Sequence, residues 1–316
     1  MVGDNMDVIH CNMDEFITYH QPLAACIGYF DGIHKGHQKL IQTVLDLCAD
    51  SECEPALITF EPDPWVVLKG IKDVCHITPM THRMEIGESL GIKKWIILDF
   101  DRRMAQISVE QFHEDILKRL QVKHLVCGHD FHYASKGSGS IETLKQCDDF
   151  QLHVVEPVLE DQQRISSTLI EQLIQQGEMQ ECKRQMGRSF ALKGIITKGN
   201  QMGRKYGFPT ANLKLEDVYL IPKKGVYAGY VEFHNQCYPA IINIGHNPSF
   251  NYTLKTSIEA HILDFNQDIY GQRCTFHFEA YLRGEVCFDG MDALANQLQN
   301  DEQKARKILK GGKTCV

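Results

Sequence analysis

Two histidines, His34 and His37, stand three residues apart inside the string GYFDGIHKGHQKL, residues 28–40. Gly28, Gly32 and Gly36 let the backbone approach a polyphosphate closely. A helix opening at this point would add unpaired N–H groups and the positive end of its dipole. Residues at that spacing share a helix face, so both imidazoles can donate to charge developing on a reacting phosphate. The string predicts a phosphate site. Two blander readings compete with it: a tight glycine turn with solvated histidines, and a zinc pair, for which no Cys or carboxylate stands at a companion spacing. Further on, Ile165 to Thr168 read ISST ahead of a helical run. The hydroxyls of Ser166, Ser167 and Thr168 suit either a second phosphate contact or an ordinary N-cap.

A second group lies in KGNQMGRKYGFPTANL, Lys198 to Leu213. Gly199, Gly203 and Gly207 surround the cations Arg204 and Lys205, and Pro209, Thr210, Ala211 and Asn212 follow. Backbone N–H groups freed by glycine reach phosphates, the basic pair supplies counter-charge, and Thr210 with Asn212 offers neutral oxygens to a hard cation such as magnesium. The string lacks GxxxxGK followed by Ser or Thr, so it is no Walker sequence. Glycine spacing alone would equally fit a plain hairpin. Glu259 alternates with apolar neighbours and points away from the apolar face, as a base or as a solvated strand residue. Arg283 is read either as a cation closing over phosphate or as an exposed strand arginine, and His261 is read as structural.

The elements that must position these residues follow from periodicity. Apolar β-rich runs at 23–30, 55–60, 94–100, 123–128 and 152–158 alternate with helical patterns such as Gly36 to Ala49 and Val109 to Leu120. That rhythm predicts βαβ units and a parallel, Rossmann-like sheet, with ligands at the carboxyl ends of its strands. Near residue 186 the rhythm gives way to successive strands and one closing helix. The expected domains are therefore 1–186, α/β, and 187–316, an antiparallel barrel with a terminal helix. Cys274, Phe276, Phe278, Ala280 and Leu282 alternate inward along one strand, as do Ile258, Ala260 and Ile262 along another. Met291, Leu294, Leu298, Ala305, Ile308 and Leu309 recur at helical spacing.

Composition narrows the function classes. The chain has 316 residues, 43% hydrophobic and 23% charged, with a formal net charge of −8. This fits a folded two-domain protein and argues against general affinity for nucleic acid or anionic membrane. The 12 cysteines are scattered without a CxxC and are expected to be free thiols in a reducing compartment. No signal-like or membrane-spanning run is found, so a cytoplasmic protein is expected, with self-association left open.

The strings GYFDGIHKGH, GHDFHYASKGSG and ISST, in this order, resemble the FMN adenylyltransferase half of the bacterial bifunctional riboflavin kinase/FAD synthetase family. The resemblance implies that His34 and His37 bind ATP phosphates and stabilise the transition state, with Gly28, Phe30, Asp31, Gly32, Asp130, Ser166, Ser167 and Thr168 lining the site. GRKYGFPTAN, GVYAGYVEF, INIGHNPSFN, SIEAHILDFNQDIYG and YLRGEVCFDG resemble the riboflavin kinase half across 187–316. This implies a six-stranded Greek-key barrel, ATP and Mg²⁺ at Thr210 and Asn212, riboflavin beside Asn243, Gly245 and Asn247, and Glu259 as catalytic base. Riboflavin, FMN and ATP would be the small-molecule partners. Three departures touch the N-terminal half: Asp63 where the family has His, His132 and Ala134 where it has Arg and Gly, and Glu171 where it has Arg. A carboxylate in place of a phosphate-facing cation reverses a contact. A bifunctional enzyme and a kinase with a silent or nucleotide-sensing N-terminal domain both follow as readings, with Arg164 the candidate replacement cation.

Overall fold

The computed structural model describes residues 6–14, 18–72, 74–198, 209–247, 255–286, 288 and 290–310. They form two compact units, Met1–Val74 with Thr78–Ser166, and Cys75–Ile77 with Ser167–Val316.

The first unit is built on β1 (Asp7–Cys11), β2 (Leu23–Ile27), β3 (Glu54–Glu61), β4 (Lys94–Asp99), β5 (Val122–Gly128) and β6 (Gln151–Val155), in the sheet order β1-β4-β3-β2-β5-β6. Every neighbouring pair is parallel. The apolar runs predicted to be strands are β2 to β6. Helix α1 (Lys35–Ala49) follows β2, and α2 (Pro64–Lys69) and α3 (Met80–Ser89) follow β3. After β4 comes α4 (Val109–Gln111), which continues as a π-helix over Phe112–Lys118; α5 (Ile141–Leu144) follows β5. A small hairpin, β7 (Leu159–Glu160) with β8 (Gln163–Arg164), completes the unit. Strand β2 is buried on both faces: Ala25 and Ile27 join one core with Phe112 and Leu117, while Ala24 and Cys26 join the other with Val44 and Trp95. That period of two is what a central parallel strand requires.

The second unit opens with α6 (Ser167–Gln176) and α7 (Met179–Met186) and continues as β9 (Phe190–Thr197), β10 (Ala211–Leu215), β11 (Gly225–Phe233), β12 (Gln236–Asn247), β13 (Lys255–Ile262), β14 (Arg273–Arg283) and α8 (Met291–Leu309). The strands close as a barrel in the order β10-β13-β12-β11-β14-β9. All its pairs are antiparallel. Phe276 and Phe278 are fully buried, and Cys274 and Ala280 nearly so, as the alternation predicts. Of the residues expected to face inward on α8, Ala305 and Leu309 do so, whereas Ile308 is 42% exposed. The Tyr230 hydroxyl donates to the Leu309 carbonyl at 2.9 Å, occupying one acceptor left over at the helix end. Helix α7 is held to the barrel by Lys183, whose Nζ lies 2.7 Å from Glu279. The segment Cys75–Ile77 also belongs here: His76 donates to the Val218 carbonyl at 3.2 Å and accepts from Leu220 N–H at 2.7 Å. One expectation is corrected. Cys237, half-buried at the start of β12, is disulfide-bonded, so the cysteines are not all free thiols. Spacing along the chain does not reveal which thiols are paired.

Candidate active sites

Beyond β2 the chain turns through Gly28–Ile33 before α1 begins. Phe30, Gly32 and Ile33 have φ of 59°, 81° and 35°. For an L-residue with a bulky side chain this region costs on the order of 1–2 kcal/mol. Phe30 and Ile33 are completely buried, and burial of such side chains contributes about 1.5–3 kcal/mol each, enough to offset the strain. His34 is the N-cap of α1, and its Nδ1 accepts the His37 backbone N–H at 3.3 Å. An N–H donor needs a bare Nδ1, so neutral His34 carries its proton on Nε2. The two rings stack with centroids 3.7 Å apart and planes 15° apart. Gly36 permits this stack, since a Cβ there would lie 3.0 Å from His34 Cε1 and 3.1 Å from Nδ1. Phe30 braces His37 at 5.1 Å between centroids. Gly28, Phe30, Gly32, His34 and His37 therefore come together at a helix N-terminus, which can bind and polarise an anion.

Asp31 is held by residues that sequence reasoning missed. Arg83, on α3 and 1% exposed, lies 3.5 Å from Asp31, donates from Nε to the Thr78 carbonyl at 2.6 Å and from Nη1 to the Tyr29 carbonyl at 3.0 Å. Thr78 N–H donates to Asp31 at 2.9 Å. The Arg83 guanidinium also sits 4.7 Å from the centre of the Tyr29 ring. The Tyr29 hydroxyl bonds to Asp63, and burial pushes its pKa well up, so it stays protonated. Asp63 is thus buried beside Tyr29, whose ring the Arg83 guanidinium also meets.

Asp130 follows β5. Burial works against its ionisation, but the hydrogen bond from Arg164 at 2.6 Å prevails and holds the carboxyl below its usual range. The Arg164 side chain, the candidate replacement cation, therefore stands beside a predicted site residue. His132 donates from Nδ1 to the Asp130 carbonyl at 2.9 Å. Ser166 is the last residue of the first unit, and Ser167 and Thr168 open α6 of the second.

In the barrel, register assembles the predicted kinase residues. Asn212 of β10 pairs with Glu259 of β13, and Glu259 pairs with Asn243 of β12. Directly opposed residues share a face. The flanking row Ala211, Ala260 and Ile242 is buried, so Asn212, Glu259 and Asn243 form a polar row on the outer face. His261 donates from Nδ1 to the Pro209 carbonyl at 2.9 Å and thereby fixes the segment that leads through Thr210 to Asn212. Gly245 continues the row: a Cβ there would lie 2.8 Å from Glu285 Oε1 and 3.3 Å from Asn243 Nδ2. Glu285, a carboxylate beside this row, was not anticipated, because nothing in its local pattern distinguishes it from a loop glutamate. Arg283 bonds the buried Asp301 of α8, with Nη2 to Oδ2 at 2.7 Å and Nε to Oδ2 at 2.9 Å. Gly199, Gly203 and Arg204, with Lys205 and Gly207, lie outside the described residues, and of Asn247 only the backbone is described.

Comparison with known proteins follows the same division. A family model for riboflavin kinase matches residues 186–309, and one for FAD synthetase matches 17–169. Bifunctional riboflavin kinase/FMN adenylyltransferase from Listeria monocytogenes is 34% identical, over 94% of this chain and 95% of that protein. The Bacillus subtilis protein of the same description is 35% identical, over 88% and 90%. A solved structure from Streptococcus pneumoniae, described as a macrolide-efflux protein, is 31% identical and superposes with a TM-score of 0.88, covering 94% of this chain and 99% of that one. Among the described residues no helix is long and apolar enough to cross a membrane. On the joint weight of both family models and relatives similar along nearly their whole length, this chain belongs to the bifunctional riboflavin kinase/FMN adenylyltransferase family.

Proposed function

We infer that the barrel phosphorylates riboflavin to FMN with ATP and that the α/β unit adenylylates FMN to FAD. We place the functional division near residue 186, with the enzyme in the cytoplasm. The observation that carries the kinase reading is the outer-face row in which Glu259 stands between Asn212 and Asn243. A ribityl hydroxyl attacks the γ-phosphorus of ATP, the bond to the bridging oxygen breaks, and Glu259 takes the hydroxyl proton as ADP departs. Thr210 and Asn212 supply neutral oxygens that fit Mg²⁺, a hard cation that keeps water and substrate phosphate in its shell. When bound, it would neutralise charge on the transferring phosphate. Asn243, Gly245 and the side chain of Asn247 would receive the flavin, and Gly199, Gly203 and Arg204 the nucleotide.

In the α/β unit the FMN phosphate oxygen attacks the α-phosphorus of ATP and pyrophosphate leaves. His34 and His37, stacked at the N-terminus of α1, donate to the phosphates. Asp31 and Asp130 line the site, with Ser166, Ser167 and Thr168 as the further phosphate contacts that the family resemblance implies. The test is chromatography of products formed from riboflavin, and separately from FMN, with ATP and Mg²⁺. FMN and FAD are the expected products. If riboflavin yields no FMN the kinase assignment fails, and if added FMN yields no FAD the α/β unit is not an adenylyltransferase.

A further inference from the structure

Residues 129–140 carry Asp130, yet their backbone is not one the chain adopts easily. Ala134 and Lys136 have φ of 59° and 54°, a region that costs a residue with a side chain on the order of 1–2 kcal/mol. Such a loop persists only if its surroundings over-determine it. Tyr133 is the only buried side chain it contains, 4% exposed. Its backbone exchanges two hydrogen bonds with Gly139, at 3.1 and 2.9 Å, and its ring fills the space over that glycine, where a Cβ would lie 2.5 Å away. Its hydroxyl lies 2.7 Å from His113 Nε2 and 2.9 Å from Thr143 Oγ1. His113 comes from the π-helical stretch after α4 and Thr143 from α5, so one hydroxyl ties the loop to two elements.

The direction of every proton in this chain can be deduced. The Ser140 carbonyl, 2.8 Å from Thr143 Oγ1, can only accept, so the Thr143 hydroxyl donates to it. Ser140 N–H, 2.9 Å from the same oxygen, can only donate. Thr143 has then spent its proton, and its bond with Tyr133 must be donated by the tyrosine. Tyr133, its proton used, must accept from His113, whose Nε2 therefore bears hydrogen. The order is His113 Nε2–H to Tyr133 Oη–H to Thr143 Oγ1–H to the Ser140 carbonyl, with every bond made once and none contested. Burial lowers the His113 pKa, consistent with a neutral ring protonated on Nε2.

We propose that His113, Tyr133 and Thr143 form a positioning chain for adenylyl transfer, which holds residues 129–140, and with them Asp130, in the geometry that receives FMN and ATP. The inference rests on reading this unit as the adenylyltransferase. Steady-state FAD formation from FMN and ATP is measured for the full-length wild type, Tyr133→Phe, Thr143→Val and Thr143→Ser, with FMN formation from riboflavin as the control on the other unit. Tyr133→Phe and Thr143→Val should raise KM for FMN about tenfold, the effect of one buried hydrogen bond lost, with kcat nearly unchanged. Thr143→Ser, which keeps the hydroxyl, should stay within about twofold of wild type. If Tyr133→Phe fails to fold, the Thr143 pair carries the comparison. A two-bond ¹H–¹⁵N correlation spectrum of the wild type should show neutral His113 protonated on Nε2. Equal KM values for Thr143→Val and Thr143→Ser, or a proton on Nδ1, would overturn the positioning chain. A wild type that makes FMN but no FAD would instead overturn the adenylyltransferase reading, and the positioning role with it.

Discussion

Replacing Gly36 by alanine should raise helix stability and lower adenylyl transfer at once. Gly36 lies in the first turn of a 15-residue helix, where exchange for alanine favours the helix by up to about 1 kcal/mol. The new Cβ would stand 3.0 Å from His34 Cε1 and 3.1 Å from Nδ1. Ordinary carbon contacts lie at about 3.5–4.0 Å, so the imidazole must retreat by roughly half an ångström. Since a displacement of about 1 Å at a reacting group can cost on the order of a hundredfold, half that distance should cost about tenfold. The assay is initial-rate FAD formation from FMN, with kinase rate as internal control and a thermal melt on the same sample. FAD formation at the wild-type rate would refute the reasoning, because it would mean that the stack under Gly36 has no part in the reaction.

Glu259→Gln should reduce FMN formation by about two orders of magnitude or more while the far-ultraviolet circular dichroism is unchanged, because it removes the proton acceptor without changing shape. Arg83→Met should destabilise the first unit by about 3–5 kcal/mol in urea unfolding, the usual cost of leaving a buried partner charge, here Asp31, uncompensated. The same variant should lose FAD formation before FMN formation. The hydrogen bond from His277 at 2.9 Å holds the Glu232 carboxyl below its usual value despite burial. A depressed folded-state pKa stabilises above the unfolded value, about 4.3, and that stabilisation disappears as pH falls through the folded value. Acid unfolding of the second unit should accordingly shift less with pH below about 4.3 in Glu232→Gln than in wild type, as followed by tyrosine fluorescence.

The parts of this molecule legible in the sequence are those where local pattern and tertiary role agree. Central strands such as β2 and β5 read as apolar runs because both faces are buried. Strand β1, DVIHC, did not, since in this edge strand only Cys11 is buried and the run resembles any exposed segment. Helix α3 hid for the opposite reason. Its buried residues are His82, Arg83 and Gly87, which a hydrophobic periodicity passes over. Gly87 is there because Trp95 occupies the place of a side chain, with a Cβ falling 2.4 Å from its ring. The histidine pair was legible because its glycines are close in sequence. Arg83 reaches the Tyr29 carbonyl 54 residues away, and His113 meets Tyr133 across 20 residues; no spacing rule reaches that far. The kinase row was half legible: alternation showed which way Glu259 faces, but only strand register reveals that Asn212 and Asn243 flank it.

The attachment of α6, α7 and residues 75–77 to the second unit determines where this polypeptide can be cut or recombined. A fragment beginning at residue 187 would leave Glu279, 14% exposed, without the Lys183 ammonium that balances it. A fragment beginning at Ser167 keeps that pair but forfeits the two hydrogen bonds that His76 makes with residues 218–220. A chimera of two relatives joined between the units would therefore need residues 75–77 from the same parent as its barrel, although residues 78–166, from the other parent, would intervene before residue 167.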